Sequence, residues 1–419
     1  MPARVLVPHG QDWRVYGSNE TIGGGQTWQR PSGAGYTQIE DLTGATVMAK
    51  INATPNGNIC TFPAATFSQA NFSYGAGGNY GICYLPFQPV AGVAGSGIDQ
   101  TFLEITPGSS DRASTIPPQS TGFVSPGNPG TVNQLTLFRL GEAPGDNPAY
   151  QVRYIGGMTI RGTDQPIYTI DDTPGFATGN PHCYFGVYVY KGINTIIEDT
   201  KIKAIPGSYG ANPGETYSIN LYRTAGAMIR RVEVDGRNAA GVRFGGTGIG
   251  NNTNTGSNAY EDVYIHDMKW GHGVAHYNVY GSVSYTRTKI EKVYLAAWNF
   301  EHCASSAFTV EMVDCTVGDI GGRARTGTSY AGQPIWAILD SDVGSATVNI
   351  RNPKVPDGAG NFVSPSAARP ILIVIHSTYG GVTNKQSIND VHVFDANGVE
   401  QPTWKVRLTG YQDGDGGLM

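Results

Sequence analysis

Along much of this chain the apolar positions follow one six-residue pattern: an apolar residue, two spacers, an apolar residue, one spacer, an apolar residue. It reads Ile155-Gly-Gly-Met158-Thr-Ile160, Ile197-Glu-Asp-Thr200-Lys-Ile202, Ile229-Arg-Arg-Val232-Glu-Val234, Tyr260-Glu-Asp-Val263-Tyr-Ile265, Ile290-Glu-Lys-Val293-Tyr-Leu295, Met312-Val-Asp-Cys315-Thr-Val317 and Ile388-Asn-Asp-Val391-His-Val393. A weaker copy, Ser345-Ala-Thr-Val348-Asn-Ile350, divides the long gap before Ile388. Self-similarity of this kind, tolerant of insertions between copies, marks a repeat architecture.

Apolar residues at i and i+3 also suit an amphipathic helix, and Lys289 to Ala297 taken alone passes as one. The neighbourhood decides for strands. The second and third apolar positions are mostly β-branched, glycines fall between copies, and each copy follows another β-rich run. Those runs are Gly186 to Val189, Ser218 to Leu221, Gly241 to Phe244, Val274 to Val279, Ala337 to Leu339 and Ile371 to Ile375. Two or three short strands per turn predict an all-β chain folded as a right-handed parallel β-helix. Coils about 4.8 Å apart would then bury a continuous apolar column. The solenoid is expected over residues 45–400, with an N-terminal arm or attachment segment at 1–44 and a C-terminal strand and tail at 401–419. Stacking in register would also set the third residues of the copies in a ladder, Asp199, Arg231, Asp262 and Lys292, with the charge alternating at each rung as adjacent strands prefer.

Composition agrees with strands and tight turns. Glycine, at 58 of 419 residues, is about twice its usual frequency, and charged residues are 15% against about 25% ordinarily. A formal net charge of −5 leaves no basic footprint for nucleic acid. No apolar run is long enough to cross a membrane, and the first residues lack the pattern of a secretory leader. The five cysteines have no metal-ligand spacing and read as free thiols of a reducing compartment, Cys315 at a core position.

The opening coils carry the most specific local pattern: Gly57-Asn-Ile-Cys-Thr-Phe-Pro-Ala-Ala-Thr-Phe67, Gly77-Gly-Asn-Tyr-Gly-Ile-Cys-Tyr-Leu-Pro86, Gly92-Val-Ala-Gly-Ser-Gly97 and Gln100-Thr-Phe-Leu-Glu-Ile105. The series resembles the first coils of pectate-lyase-like β-helix proteins. More narrowly, over about residues 45–107, it looks like the minor tail proteins of long-tailed bacteriophages that infect actinobacteria. The resemblance implies a virion protein at the phage tail tip or fibre, a parallel homotrimer, contact with other phage tail proteins and recognition of host cell-envelope glycan. Fold likeness of the general kind is silent on activity.

Candidate chemistry is sparse. Gly245-Gly-Thr-Gly-Ile-Gly lacks the lysine of a phosphate loop, and no cofactor is expected. His272 and His302 each lie seven residues beyond the last apolar residue of successive copies. With Trp270 and Trp298 they form a candidate glycan-binding face. Gly271-His-Gly273 and Asp171-Asp172 resemble two short motifs of polygalacturonases, but the other signatures of that family have no counterpart. Arg351-Asn-Pro353 and Pro356 only begin and end a pectate-lyase pattern. Asp235, Asp267 and Asp319, just after core strands, are the best carboxylates for a depolymerase, with His272 beside them. Alternation of acidic with basic rungs argues against a calcium site, so no metal is expected. On these grounds the chain reads as a structural and adhesive virion protein rather than an enzyme, with a tail-borne glycoside hydrolase or lyase as the alternative.

Overall fold

The computed structural model describes residues 59–68, 81–85, 92–105, 134–140, 154–162, 183–205 and 217–412, the last two with short gaps, and three strands nearer the N-terminus, Glu20–Ile22, Gln26–Trp28 and Tyr36–Gln38. The expectations for residues 45–55, for the excursions at 108–131, 171–181 and 207–214, and for the tail at 413–419 lie outside the described residues.

From Tyr154 onward the chain alternates between two long parallel sheets. Tyr154–Gly162, Ile193–Lys203, Ala225–Asp235, Asn258–His266, Ser282–Thr286, Thr309–Val313, Thr347–Arg351 and Val391–Phe394 lie in one. Cys183–Tyr190, Tyr217–Tyr222, Thr247–Asn252, Val274–Tyr277, Trp298–Glu301, Ile335–Asp340, Ile371–Ile375 and Lys405–Leu408 lie in the other. Spatial order follows chain order in both, so the fold is an all-β, solenoid-like stack in which each circuit sits on the one before. The opening segments join the same stack: Tyr36–Gln38, Ile59–Thr61 and Gly92–Ala94 pair in parallel in series. Thr101, within the opening segment Gln100 to Ile105, is buried and donates its hydroxyl to the Pro63 carbonyl at 2.8 Å. Among the described residues, helix is confined to the 3-10 turns Ile388–Asp390 and Pro402–Trp404, and no helix is long and apolar enough to cross a membrane.

The hexapeptide has a simple structural meaning. Side chains along a strand alternate between faces, so two inward positions should be two residues apart. The first gap of the pattern is three, because its third residue adopts a left-handed backbone and adds one residue without changing which face the rest of the strand presents. Gly157 (φ 68), Asp199 (φ 47), Arg231 (φ 51), Asp262 (φ 53), Arg287 (φ 50), Asp314 (φ 54) and Asn352 (φ 47) all do so. The rungs are in register on both sides of this kink: Ile197 with Ile229 and Tyr260, and Ile202 with Val234 and Ile265.

That register corrects three expected copies by five residues each. Ile290 lies over Ile265, not Tyr260, so the rung reads Tyr285-Thr-Arg287-Thr-Lys-Ile290. Val348 pairs with Val310 and Ile350 with Met312, and Val391 and Val393 pair in turn with Val348 and Ile350. For the copy at Ile290 the shifted reading arises because a second left-handed corner, Asp267 (φ 56) on one rung and Lys292 (φ 53) on the next, follows the first and repeats the same local spacing. The fourth rung of the charge ladder is therefore Arg287, not Lys292. Its guanidinium meets the Asp262 carboxylate in two bonds of 2.7 and 2.9 Å, as Arg231 meets Asp199 at the same distances.

The glycine-rich run after Gly245 is a strand, Thr247–Asn252, buried along its whole length, and Arg243 before it makes an isolated antiparallel bridge to Arg237. A Cβ at Gly248 would fall 2.5 Å from Ile265 Cγ2 and one at Gly250 2.5 Å from the Tyr217 ring, so the glycines let neighbouring coils close. The column between the sheets is mainly Ile and Val, with Trp298, Trp336, Tyr260, Tyr285 and Phe300 among its largest buried side chains. Cys60, Cys303 and Cys315 are buried free thiols within it.

The kink makes a sharp prediction. Replacing Asp262 by glycine should cost no more than the exposed ion pair, about 1 kcal/mol at most. Replacing it by valine should cost about 1–2 kcal/mol further, since a β-branched residue is penalised at positive φ. Urea denaturation midpoints of the two variants would test this, and equal midpoints would refute it.

Candidate active site

Beyond the kink, strands of the first sheet turn outward the fifth residue of the hexapeptide and the residue that follows its sixth. On consecutive rungs these positions hold Lys201 and Lys203, Glu233 and Asp235, Tyr264 and His266, and Lys289 and Glu291, because Glu233 pairs with Tyr264 and Asp235 with His266. Asp267 follows at the left-handed corner. Two residues each from neighbouring rungs are thereby brought against one another, which a single strand could not do.

His266 is the centre. It is only 3% exposed, and both ring nitrogens face carboxylates: Nδ1 is 2.8 Å from Asp267 Oδ2 and 3.8 Å from Asp235 Oδ1, and Nε2 is 3.2 Å from Glu233 Oε1. A neutral imidazole can donate to one of them, an imidazolium to two. Tyr264 stacks on the ring at 4.1 Å. Cations surround the acids. Lys201 Nζ is 2.9 Å from Glu233, Arg237 binds Asp235 through Nε at 3.0 Å, and Arg237, Arg243 and Lys292 stand 3.3, 3.8 and 3.7 Å from Asp267. Burial alone would raise the Glu233 carboxyl, but hydrogen bonds from His266 and Lys201 outweigh it and hold the group down to about 2. Asp235 is likewise lowered: burial pushes it up, and the Arg237 side-chain and backbone bonds together with the His266 charge pull it further down. The two carboxylates thus remain anionic near neutral pH.

Of the residues anticipated for catalysis, Asp235 and Asp267 converge here. Asp319 does not: its side chain is 71% exposed and held by Arg323. His272 is buried, its backbone N–H donating to Thr247 Oγ1 and its Nδ1 accepting from the Ala296 N–H at 3.3 Å. The expected stack of His272 on His302 is not formed. Tyr277 pairs with Glu301, which sets His302 level with Asn278. Of the anticipated glycan face, Trp298 has no exposed surface and packs on Tyr285 and Trp336 in the core, Trp270 is buried against Tyr294, and His302 meets the edge of Tyr277. Arg351 and Asn352 serve the stack by pairing with Glu311 and Asp314. Asp171 and Asp172 lie outside the described residues. Sequence reasoning missed Glu233, His266 and Arg237. The adjacent pair His266-Asp267 was visible, but its partners one rung away depend on the register.

Glu233, Asp235 and His266 could also offer a metal three donor atoms lying within 4.8 Å of one another. Lys201 and Arg237 already compensate the two acids, so a cation would have to displace them. The expectation that the chain is not an enzyme for want of an assembled site is overturned by this cluster, in which a buried imidazole is hydrogen-bonded to two carboxylates, with a third 3.8 Å away, in an arrangement capable of proton transfer.

No protein-family model and no curated protein matches the sequence. Among solved structures, the fold is similar to the A-module of mannuronan C-5 epimerase AlgE6 from Azotobacter vinelandii, at 11% identity over 86% of this chain and 88% of that one, with a TM-score of 0.31. It is similar also to the catalytic domain of Agl-KA, at 12% identity over 87% and 69%, with a TM-score of 0.33. At these values neither assigns an activity to this chain.

Acid stability follows from the buried groups. Burial lowers His272 to about 4 and His276 to about 3, so both are neutral in the fold where an ordinary histidine titrates near 6.5. Their contribution is complete above about pH 6.5 and is lost as pH falls toward 4 and 3. The depressed carboxylate of Glu233 extends the loss from its ordinary 4.5 down toward about 2. The melting temperature should therefore drop below pH 6.5. His276→Phe, which would continue the stack on Phe300, should flatten that drop while lowering the neutral-pH value by orphaning the Tyr285 hydroxyl. An unchanged slope would refute the assignment.

Proposed function

We propose that this chain is a β-solenoid enzyme acting on an extended anionic glycan, with His266 moving the proton. The observation that supports it most is the buried imidazole held between Asp267 and Glu233 on the outer face of a long parallel sheet. Hydrolysis by paired carboxylates needs one of them protonated as the acid, and two carboxylates held low do not supply it. A lyase-type elimination fits better: His266 Nε2, carrying no proton at this step, takes the proton next to the sugar carboxylate. The freed electron pair forms the carbon–carbon double bond, and the glycosidic oxygen leaves the neighbouring carbon with its bonding pair and is protonated by solvent. In this reading Asp267 fixes the ring through Nδ1. Glu233, 21% exposed on its side chain, swings from Nε2 to its other partner Lys201 as substrate enters, and Arg237 and Arg243 face the substrate's acidic group. A face running across several rungs suits a polymer rather than a small molecule.

The right-handed sense of the coil, placement in a phage virion as a tail component, assembly as a homotrimer and a host cell-envelope glycan as target belong to the same reading, as a tail-borne depolymerase. The resemblance of the opening coils supports them.

Incubation with polyuronates and with neutral glycans should release unsaturated products from the acidic polymers only, detected by ultraviolet absorbance. His266→Gln should lower kcat/KM by about 10²–10⁴. New reducing ends without unsaturation would sink the elimination, and full activity in the variant would sink the role of His266.

A further inference from the structure

The outer face that carries His266 continues downstream into an aromatic strip. Lys289, one rung beyond Tyr264, places its ammonium 4.8 Å from the Tyr264 ring centre and 5.0 Å from that of Phe362. Glu291 holds this ammonium at 2.8 Å and accepts a hydrogen bond from the Tyr264 hydroxyl. Phe362 comes from elsewhere in the chain. It lies on an antiparallel hairpin formed by Val355–Pro356 and Phe362–Val363, whose turn is tied by Asp357 accepting from the Ala359 and Asn361 backbone N–H groups at 2.7 and 3.0 Å. The hairpin starts from the rung in which Lys354 bridges Thr316, and it reaches back along the outer face to Lys289.

Phe362 is 37% exposed, so this hairpin holds an aromatic ring at the surface instead of adding it to the core. A single exposed aromatic is ordinary. Here it shares one ammonium with a second ring that stacks directly on the proposed catalytic imidazole. Rings set beside a carboxylate and an ammonium match a ligand that is apolar on one face and hydroxylated at its edge, which describes a pyranose ring and not an apolar peptide.

We propose that the Phe362 hairpin and Tyr264 form a saccharide-binding wall that seats a sugar unit neighbouring the one at His266. This rests on the glycan-active reading above and adds a positioning residue, Phe362, which takes no part in bond making. The test is titration of the full chain with oligosaccharides of polygalacturonate, alginate, hyaluronan and dextran, by calorimetry for binding and by product release for turnover. Phe362→Ala should weaken binding to the preferred glycan about tenfold, the scale of one aromatic contact, raising KM far more than it lowers kcat, and Phe362→Trp should restore it. His266→Gln should bind as the parent does and fail to turn over. Because the ring lies on an exposed hairpin, circular dichroism of Phe362→Ala should match the parent. Unaltered affinity in Phe362→Ala, or no binding of any of the four glycans by the parent chain, would overturn the wall. Binding that depends on Phe362 without turnover by the parent would uphold the wall and remove the catalytic reading instead.

Discussion

The structure depends on one residue per rung that leaves the ordinary strand conformation. At Asp199, Arg231, Asp262, Arg287, Asp314 and Asn352 the backbone is left-handed, and the side chain points away from the stack to meet its counterpart on the next rung. The conformation is unfavourable for each residue on its own. It persists because the residues on either side are locked in register by parallel pairing, so no single rung can relax without shifting its neighbours. The kink also decides what faces outward. With the extra residue in place, Val232 and Val234 stay in the column while Glu233 and Asp235 share the outer face.

The charges on that face illustrate how pairing competes with burial. Carboxylates taken out of water rise in pKa, and those of Glu233 and Asp235 fall instead because Lys201, Arg237 and His266 are placed against them. Glu198 and Arg230 are also buried and are joined at 2.6 Å one rung apart. Breaking either partner would leave a buried charge uncompensated, which costs far more than the pair itself contributes. Charge on this solenoid is therefore organised between rungs, and a change at one rung is felt at the next.

The interior is not uniformly apolar. His276 and Tyr285 are joined by a hydrogen bond, as are Asn251 and Tyr260, and the two tyrosine rings stack at 4.6 Å. His276 lies flat against Phe300 at 5.0 Å. These rings pack together inside the column, and neutral imidazole there behaves as an aromatic filler with one polar edge. Histidines close together in the sequence thus have unlike roles: His266 lies among acids, while His276 packs on core rings, His272 is buried, and both of these remain uncharged.

The alternation of apolar and polar positions determined the all-β repeat, the stacking of Ile197, Ile229 and Tyr260, and the existence of a charged ladder, because strand periodicity is a local property and the sequence carries it directly. Asp235 and Asp267 were legible as acids following core strands. Only the tertiary structure decided which copies align, and so that Arg287 and not Lys292 meets Asp262, that the glycine run 247–252 is a buried strand, and that Trp298 belongs to the core. Local spacing recurs at two different corners of the coil, and nothing within six residues distinguishes them. The site is of the same kind. Glu233, Asp235 and His266 come together because residues about thirty apart in the chain lie on adjacent rungs, and that distance is set by the circuit of the coil and not by any motif.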